Sequence, residues 1–275
     1  MLHGTGLRFV LNHMVAPRRS MAALVALTTA MGLDGIEVCN DIGAHGIATD
    51  EAARKIAATA KAAGVEIVSI NALQRFNDWS DRRAREAAEL IELCAAAGAK
   101  ALVMCPVNDA DTKLSKQESR WNLRAALRAL APMLRDRGIV GLVEPLGFEI
   151  CSLRSKKEAV EAIDDVGGGD VFKLVHDTFH HHLAGEPELF AGRTGLVHIS
   201  GVTDRTIAVA AMLDAHRVLV DAADRIDNAG QIRALVAVGY RGPLSFEPFA
   251  ENVHASATIR ADLQRSIEFV REAVA

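Results

Sequence analysis

Aromatic side chains are scarce in this chain: nine Phe, two Trp and one Tyr make up 4% of 275 residues, although half of all residues are hydrophobic. The apolar material is therefore Ala, Val, Leu and Ile, which suits repeated helices packed on a buried parallel sheet. Cysteines are also few. Cys39, Cys94, Cys105 and Cys151 lie far apart, form no CxxC pair, and read as buried thiols of a reducing compartment with no disulfide. Positive charge is not in excess. Against 35 Asp and Glu stand 31 Lys and Arg, a net charge of -4 and an isoelectric point near 6.2. That balance provides no broad footprint for nucleic acid or anionic lipid, and Arg-bearing stretches such as RAALRALAPMLRDR (124–137) read as a solvated helix face. No apolar run reaches membrane-spanning length. The N-terminal MLHGTGLRFVLNHMVAPRRS has no basic segment followed by a long apolar stretch and a small-residue cleavage site, so a cytoplasmic protein without a membrane partner is expected. A GxGxxG after the first strand and a GxxxxGK[ST] are both missing, which disfavours a nucleotide-binding doubly wound sheet.

What is present is a rhythm of short apolar runs alternating with longer Ala-rich segments of helical periodicity. The runs are RFVLN (8–12), GIEVC (35–39), EIVSIN (66–71), ALVMC (101–105), VGLVE (140–144), FKLVHD (172–177), LVHIS (196–200) and PLSFE (243–247). Between them, segment 50–63 opens with an Asp cap and stops at Gly64, and segment 80–97 opens at Ser80 and stops at Gly98. Eight sequential β-α units predict a (β/α)8 TIM barrel, one domain over residues 1–275. One connection, 201–226, is longer than the rest, and TIAVAAMLD (206–214) within it is expected to be a small helix.

In such a barrel, polar residues at the C-terminal ends of strands face one mouth. Strand five ends in Glu144, strand six in Asp177, strand seven carries His198 and strand eight ends in Glu247. Three carboxylates and one imidazole suit a divalent cation, Mn2+ first, with Mg2+, Co2+ and Zn2+ as alternatives. The denser cluster VHDTFHHHL (175–183) sorts by strand alternation. Asp177 points inward, His176 is buried against the outer helices, His180 lies just past the strand, and His181 and His182 begin a loop. Glu37 and His13 either face the mouth or cap a loop, and Asn71 can offer an amide to a hydroxyl. Phe76 and Trp79 either form a lid or anchor their loop, and Trp121 is expected to pack.

The segments DGIEVCND (34–41), INALQRFND (70–78), LVEPLGF (142–148), HDTFH (176–180), VHIS (197–200), HRV (216–218) and LSFEPF (244–249) carry a family likeness. Nearly end to end, the chain resembles the xylose isomerase-like superfamily of sugar isomerases and epimerases. Within it, the INAL and FND segments favour the inosose (2-keto-myo-inositol) isomerases of inositol catabolism. The resemblance implies that Glu144, Asp177, His198 and Glu247 bind the metal and that His180 and Arg217 contact substrate oxygens. The Gly-rich turn that often follows the HRV-like segment reads LVDAADRID here, which leaves Arg205 as a competitor for the place of Arg217.

Isomerising a hydroxyketone requires removing a proton beside the carbonyl and returning one to the neighbouring carbon. Glu144 and Glu247 are the candidate base and acid, Asn71 and Glu37 further candidate substrate contacts, and the partner a small keto-sugar or keto-inositol. The same apparatus with a different exchange of faces gives a ketose 3-epimerase. The superfamily also contains trinuclear-zinc apurinic endonucleases. Against that reading stand Cys105 and Asn71 where imidazoles are wanted, HRV in place of DRH, and the acidic net charge. A non-catalytic sugar-binding barrel would be expected to show a broken ligand set, and a homo-oligomer is compatible with the sequence.

Overall fold

The computed structural model describes residues 6–275. Eight parallel strands close in chain order into a barrel: β1 (Arg8–Asn12), β2 (Gly35–Cys39), β3 (Glu66–Leu73), β4 (Ala101–Met104), β5 (Val140–Val143), β6 (Phe172–Asp177), β7 (Thr194–Ile199) and β8 (Pro243–Phe246), the last pairing with β1. The accompanying helices are α1 (Met21–Ala30), α2 (Asp50–Ala63), α3 (Asp81–Ala97), α4 (Lys116–Arg137), α5 (Lys156–Asp165), α6 (Thr178–Ala184), α7 (Asn228–Ala237), α8 (Glu251–His254) and α9 (Ile259–Val274). Among the described residues no helix is long and apolar enough to cross a membrane.

Strand alternation divides the core in two. Val10, Val68, Val103, Leu142, Val175 and Leu196 fill the barrel interior, while their neighbours Phe9, Leu11, Leu102 and Leu174 join the larger cluster between sheet and helices. The four cysteines are buried and free.

Local signals in the sequence set most helix ends, with corrections. Ser80 caps α3 by accepting from the Arg83 N–H, and Gly98 ends it. The cap of α2 is Thr49 and not Asp50, since the Thr49 hydroxyl accepts from the Ala52 N–H while Asp50 contributes its charge to the first turn. The expected helix at 206–214 does not form. That stretch holds one short 3-10 turn, Val209–Ala211, followed by another at Asp214–His216. The excursion is closed at its base by a paired bridge between Gly201 and Val218 and tied by Arg225 to the carbonyls of Asp204 and Ile207. His181 and His182 belong to α6 and not to a loop, because the Asp177 carboxylate caps a helix directly at the strand end. Phe76 is fully buried and anchors its loop. Trp121, expected to pack, is 69% exposed on α4. His3, which its place near the N-terminus leads one to expect as a solvated imidazole, lies outside the described residues.

His176 occupies the outer face of β6, as alternation requires. Its Nδ1 lies 2.8 Å from Lys156 Nζ on α5, and its Nε2 lies 2.9 Å from Gln231 Oε1 on α7. Burial lowers the Lys156 ammonium to about 8. A lysine that loses its proton more easily folded than unfolded makes stability rise with pH between about 8 and its ordinary value near 10.5. Lys156→Met is therefore expected to remove that rise and, because it also leaves the buried His176 Nδ1 without its partner, to change stability at pH 7 by less than about 1 kcal/mol. Urea unfolding at pH 7, 8.5 and 10 measures both effects, and an unchanged pH slope would contradict the assignment.

Candidate active site

Parallel pairing brings the four strand-end residues to one level. Asp177 lies opposite His198 across β6 and β7, and His198 lies opposite Ser245 across β7 and β8. Glu144 and Glu247 each follow the last residue of their strand. Gly147 lets α6 sit close behind this rim, since a Cβ there would lie 2.3 Å from the His180 carbonyl oxygen.

One ligand atom from each of Glu144, Asp177, His198 and Glu247 lies within 4.8 Å of all the others, and all four residues are buried. His198 Nδ1 faces the cluster at 2.9 Å from Glu144 Oε1, 3.2 Å from Glu247 Oε2 and 4.0 Å from Asp177 Oδ2. Its Nε2 lies 3.0 Å from Glu37 Oε1. That division suits a ligating histidine, with one nitrogen toward a cation and the other held by a carboxylate that sets the tautomer. An oxygen-rich set with one imidazole fits a hard or borderline divalent ion.

Arg217 is almost wholly buried at the same point. Its Nη2 donates to Asp177 Oδ2 at 2.6 Å and to Glu247 Oε2 at 3.0 Å, its Nη1 donates to Asp214 Oδ1 at 3.1 Å, and its Nε donates to Ser200 Oγ at 2.9 Å. The guanidinium also lies near the Phe249 and Phe179 rings, at 4.6 and 5.1 Å. Arg205, the competitor raised by the missing Gly-rich turn, is exposed in a turn.

Burial shapes the ionisation of the cluster. It opposes charge on Asp177, but Arg217, then His180 and His198, hold that carboxyl down at about 2. It pushes Glu247 above the ordinary carboxylate range, with His198 and Arg217 acting the other way. His198 is raised well above its usual value because, against the cost of burial, the carboxylates of Glu247, Glu37 and Glu144 surround it. Burial lowers His180.

A cavity of about 400 Å³ opens above the cluster and is lined by Asn71, His180, Arg217, Glu144 and Glu247 among others. The site residues read from the sequence separate here by depth. Asn71 reaches the cavity, its Nδ2 donating to Glu247 Oε1 at 2.8 Å. Glu37, expected as a substrate contact, has no exposed surface; it sits below the floor and accepts from Ser69 Oγ at 2.5 Å as well as meeting His198. The inward direction of β2 carries it into the barrel rather than to the rim. His13 is also fully buried, its Nε2 lying 2.9 Å from the Arg19 carbonyl oxygen in its own loop. Asn12 had no part in the sequence reading, and Cys105 entered it only as a missing imidazole. Asn12 donates to Glu247 Oε1 at 3.1 Å and to Glu37 Oε1 at 3.3 Å, and Cys105 Sγ donates to Glu144 Oε2 at 3.4 Å. Asn12 ends a strand, and that position was its only signal.

Comparison with known proteins bears on the fold and the family. A xylose isomerase domain containing protein from Salmonella typhimurium LT2 has 31% sequence identity and a TM-score of 0.87, covering 98% of this chain and 100% of its own. The IolI protein, in a structure with a bound zinc atom, has 21% identity and a TM-score of 0.83, covering 98% of each chain, and thus shares the fold. L-ribulose 3-epimerase from Methylomonas sp. (strain DH-1) is 28% identical over 145 residues, which is 50% of this chain and about half, 46%, of that curated relative. The pattern of one family matches residues 25–273, nearly the whole barrel, and the chain belongs to that family, the xylose isomerase-like TIM barrels.

Proposed function

We propose that the protein is a divalent-metal-dependent isomerase of keto-sugars or keto-inositols, with 2-keto-myo-inositol as its leading substrate, acting by enediol proton transfer. The observation that carries this reading is the convergence of Glu144, Asp177, His198 and Glu247 on the floor of one cavity. Glu144, Asp177, His198 and Glu247 would hold a divalent cation, Mn2+ first among Mn2+, Mg2+, Co2+ and Zn2+, which would supply Lewis acidity for the charge of an enediolate. Glu144 and Glu247, at the ends of β5 and β8, flank the cavity; one accepts the proton beside the carbonyl and the other returns a proton. Asn12 and Asn71 hold Glu247 Oε1 from below and beside, and the Cys105 thiol restrains Glu144 Oε2. His180 and Arg217 face the substrate oxygens.

A second reading, ketose 3-epimerase, is favoured by the partial identity with L-ribulose 3-epimerase. It uses the same residues and differs in returning the proton to the same carbon from the opposite face. NMR in D2O separates the two readings, with Mn2+-loaded protein given 2-keto-myo-inositol, L-ribulose or D-fructose. A moved carbonyl with deuterium at the adjacent carbon marks the isomerase, and inversion at one labelled carbon marks the epimerase. If all three ketones are left unchanged, both readings fail. Metal analysis is expected to find about one divalent ion per chain, lost in His198→Ala. The absence of a stoichiometric ion in the native protein would favour a barrel that only binds sugars.

A further inference from the structure

The polar side chains on the cavity wall are mostly engaged by the protein itself. Asn71 donates to Glu247, Gln74 to Asp41 and Cys105 to Glu144. Arg75 is paired with Asp109 and Asp78, and Arg217 with Asp177, Glu247 and Asp214. Two lining side chains form no hydrogen bond with any described residue: His180, with a buried unpartnered Nδ1, and Asn108, with a buried unpartnered Oδ1. His180 is already expected at the substrate. Asn108 is not accounted for.

Its placement is fixed from both sides. The Asn108 backbone is bridged to Cys151, and the next residue, Asp109, is held by Arg75 and accepts from the Thr112 N–H at 2.7 Å. The Oδ1 end of this anchored amide is shielded and without a partner among the described residues, an arrangement that a ligand group in the cavity would complete. An amide both donates and accepts, and a half-turn presents either end, which matches a hydroxyl group. A charged group fits poorly. Both arginines on the wall already face carboxylates, so among the described lining residues no cation is left to meet a phosphate or carboxylate.

We infer that Asn108 is a specificity-determining residue of the mouth, hydrogen-bonding a hydroxyl of an uncharged polyhydroxy ketone on the side away from the oxygens that face the metal ligands. The inference rests on the isomerase reading above for its substrate class. It places selection on the β4–α4 loop and leaves the reacting centre to β5 through β8.

The test is calorimetric binding to Mn2+-loaded native, Asn108→Leu and Asn108→Ser proteins. The probes are myo-inositol, its mono-deoxy analogues and myo-inositol monophosphate. Asn108→Leu is expected to weaken myo-inositol binding about 5- to 20-fold, with Asn108→Ser intermediate and Mn2+ affinity unchanged. One deoxy analogue should bind the native protein as weakly as myo-inositol binds Asn108→Leu, and should not respond to the substitution. The monophosphate should bind the native protein more weakly than myo-inositol does. Equal affinities in native and variant proteins, an equal loss for every analogue, or tighter binding of the monophosphate would overturn the inference. Polyol binding that depends on Asn108, without turnover of any ketone, would sink the isomerase reading alone. Turnover with polyol binding absent or indifferent to Asn108 would sink this inference alone, and the absence of both turnover and polyol binding would sink both.

Discussion

Glu247→Gln is expected to lower kcat for the ketone that the native protein turns over by about 10²–10⁴-fold, because an amide cannot accept the transferred proton. The substitution conserves shape but not polarity. Glu247 Oε1 accepts from the amides of Asn12 and Asn71, while Oε2 accepts from Arg217 and faces His198. A Gln side chain must turn its own NH2 toward one of these donor pairs, so Mn2+ affinity should fall as well. Glu144→Gln meets a milder setting, with His198 on one oxygen and the Cys105 thiol on the other. Its loss of kcat should be of similar order with a smaller loss of metal. Steady-state rates at saturating Mn2+, together with titration of the metal, separate the two effects. Activity within a factor of about three of native in either variant would remove that glutamate from the proton path.

Arg217→Met should cost the metal-free protein about 3–5 kcal/mol of stability, the usual consequence of removing one partner from a buried ion pair. Asp177 and Glu247 would remain below the surface with His198 as their nearest cation. Mn2+ should restore part of the loss, since it would replace the missing positive charge among the same carboxylates. Acid sensitivity follows from Asp177. Its carboxyl is held at about 2, below the ordinary value of 3.8, so its contribution to stability is complete above that value and disappears as pH falls toward 2. With Arg217 removed, the contribution should shrink and the native advantage at pH 5 should narrow by pH 2.5. Guanidinium denaturation with and without Mn2+ at both pH values measures this. A loss under about 1 kcal/mol in the metal-free protein would mean that the two carboxylates do not depend on the guanidinium.

Legibility differed between strands, helix ends and long-range contacts for physical reasons. Strand positions were readable because buried parallel strands are short apolar runs, and the observed bounds of β1, β2 and β6 coincide with RFVLN, GIEVC and FKLVHD. The ends of α3 were written locally in Ser80 and Gly98. TIAVAAMLD has helical propensity but forms only short 3-10 turns, its segment closed by the Gly201–Val218 bridge and by Arg225, contacts that propensity does not contain. Trp121 was misjudged for a similar reason: helical periodicity does not say which face the neighbouring helices leave open.

The sequence by itself carried the barrel in its periodicity, the level of Glu144, Asp177, His198 and Glu247 in their positions along the strands, and the family likeness in short motifs such as LVEPLGF and LSFEPF. Only the tertiary structure decided depth and partnership. It set Glu37 behind His198 rather than in the mouth, selected Arg217 over Arg205, and left Asn108 as an amide that no described residue engages. Closing eight strands into a ring joins residues more than 100 positions apart, and a hydrogen bond such as that between Asn71 and Glu247 has no local signature in the chain.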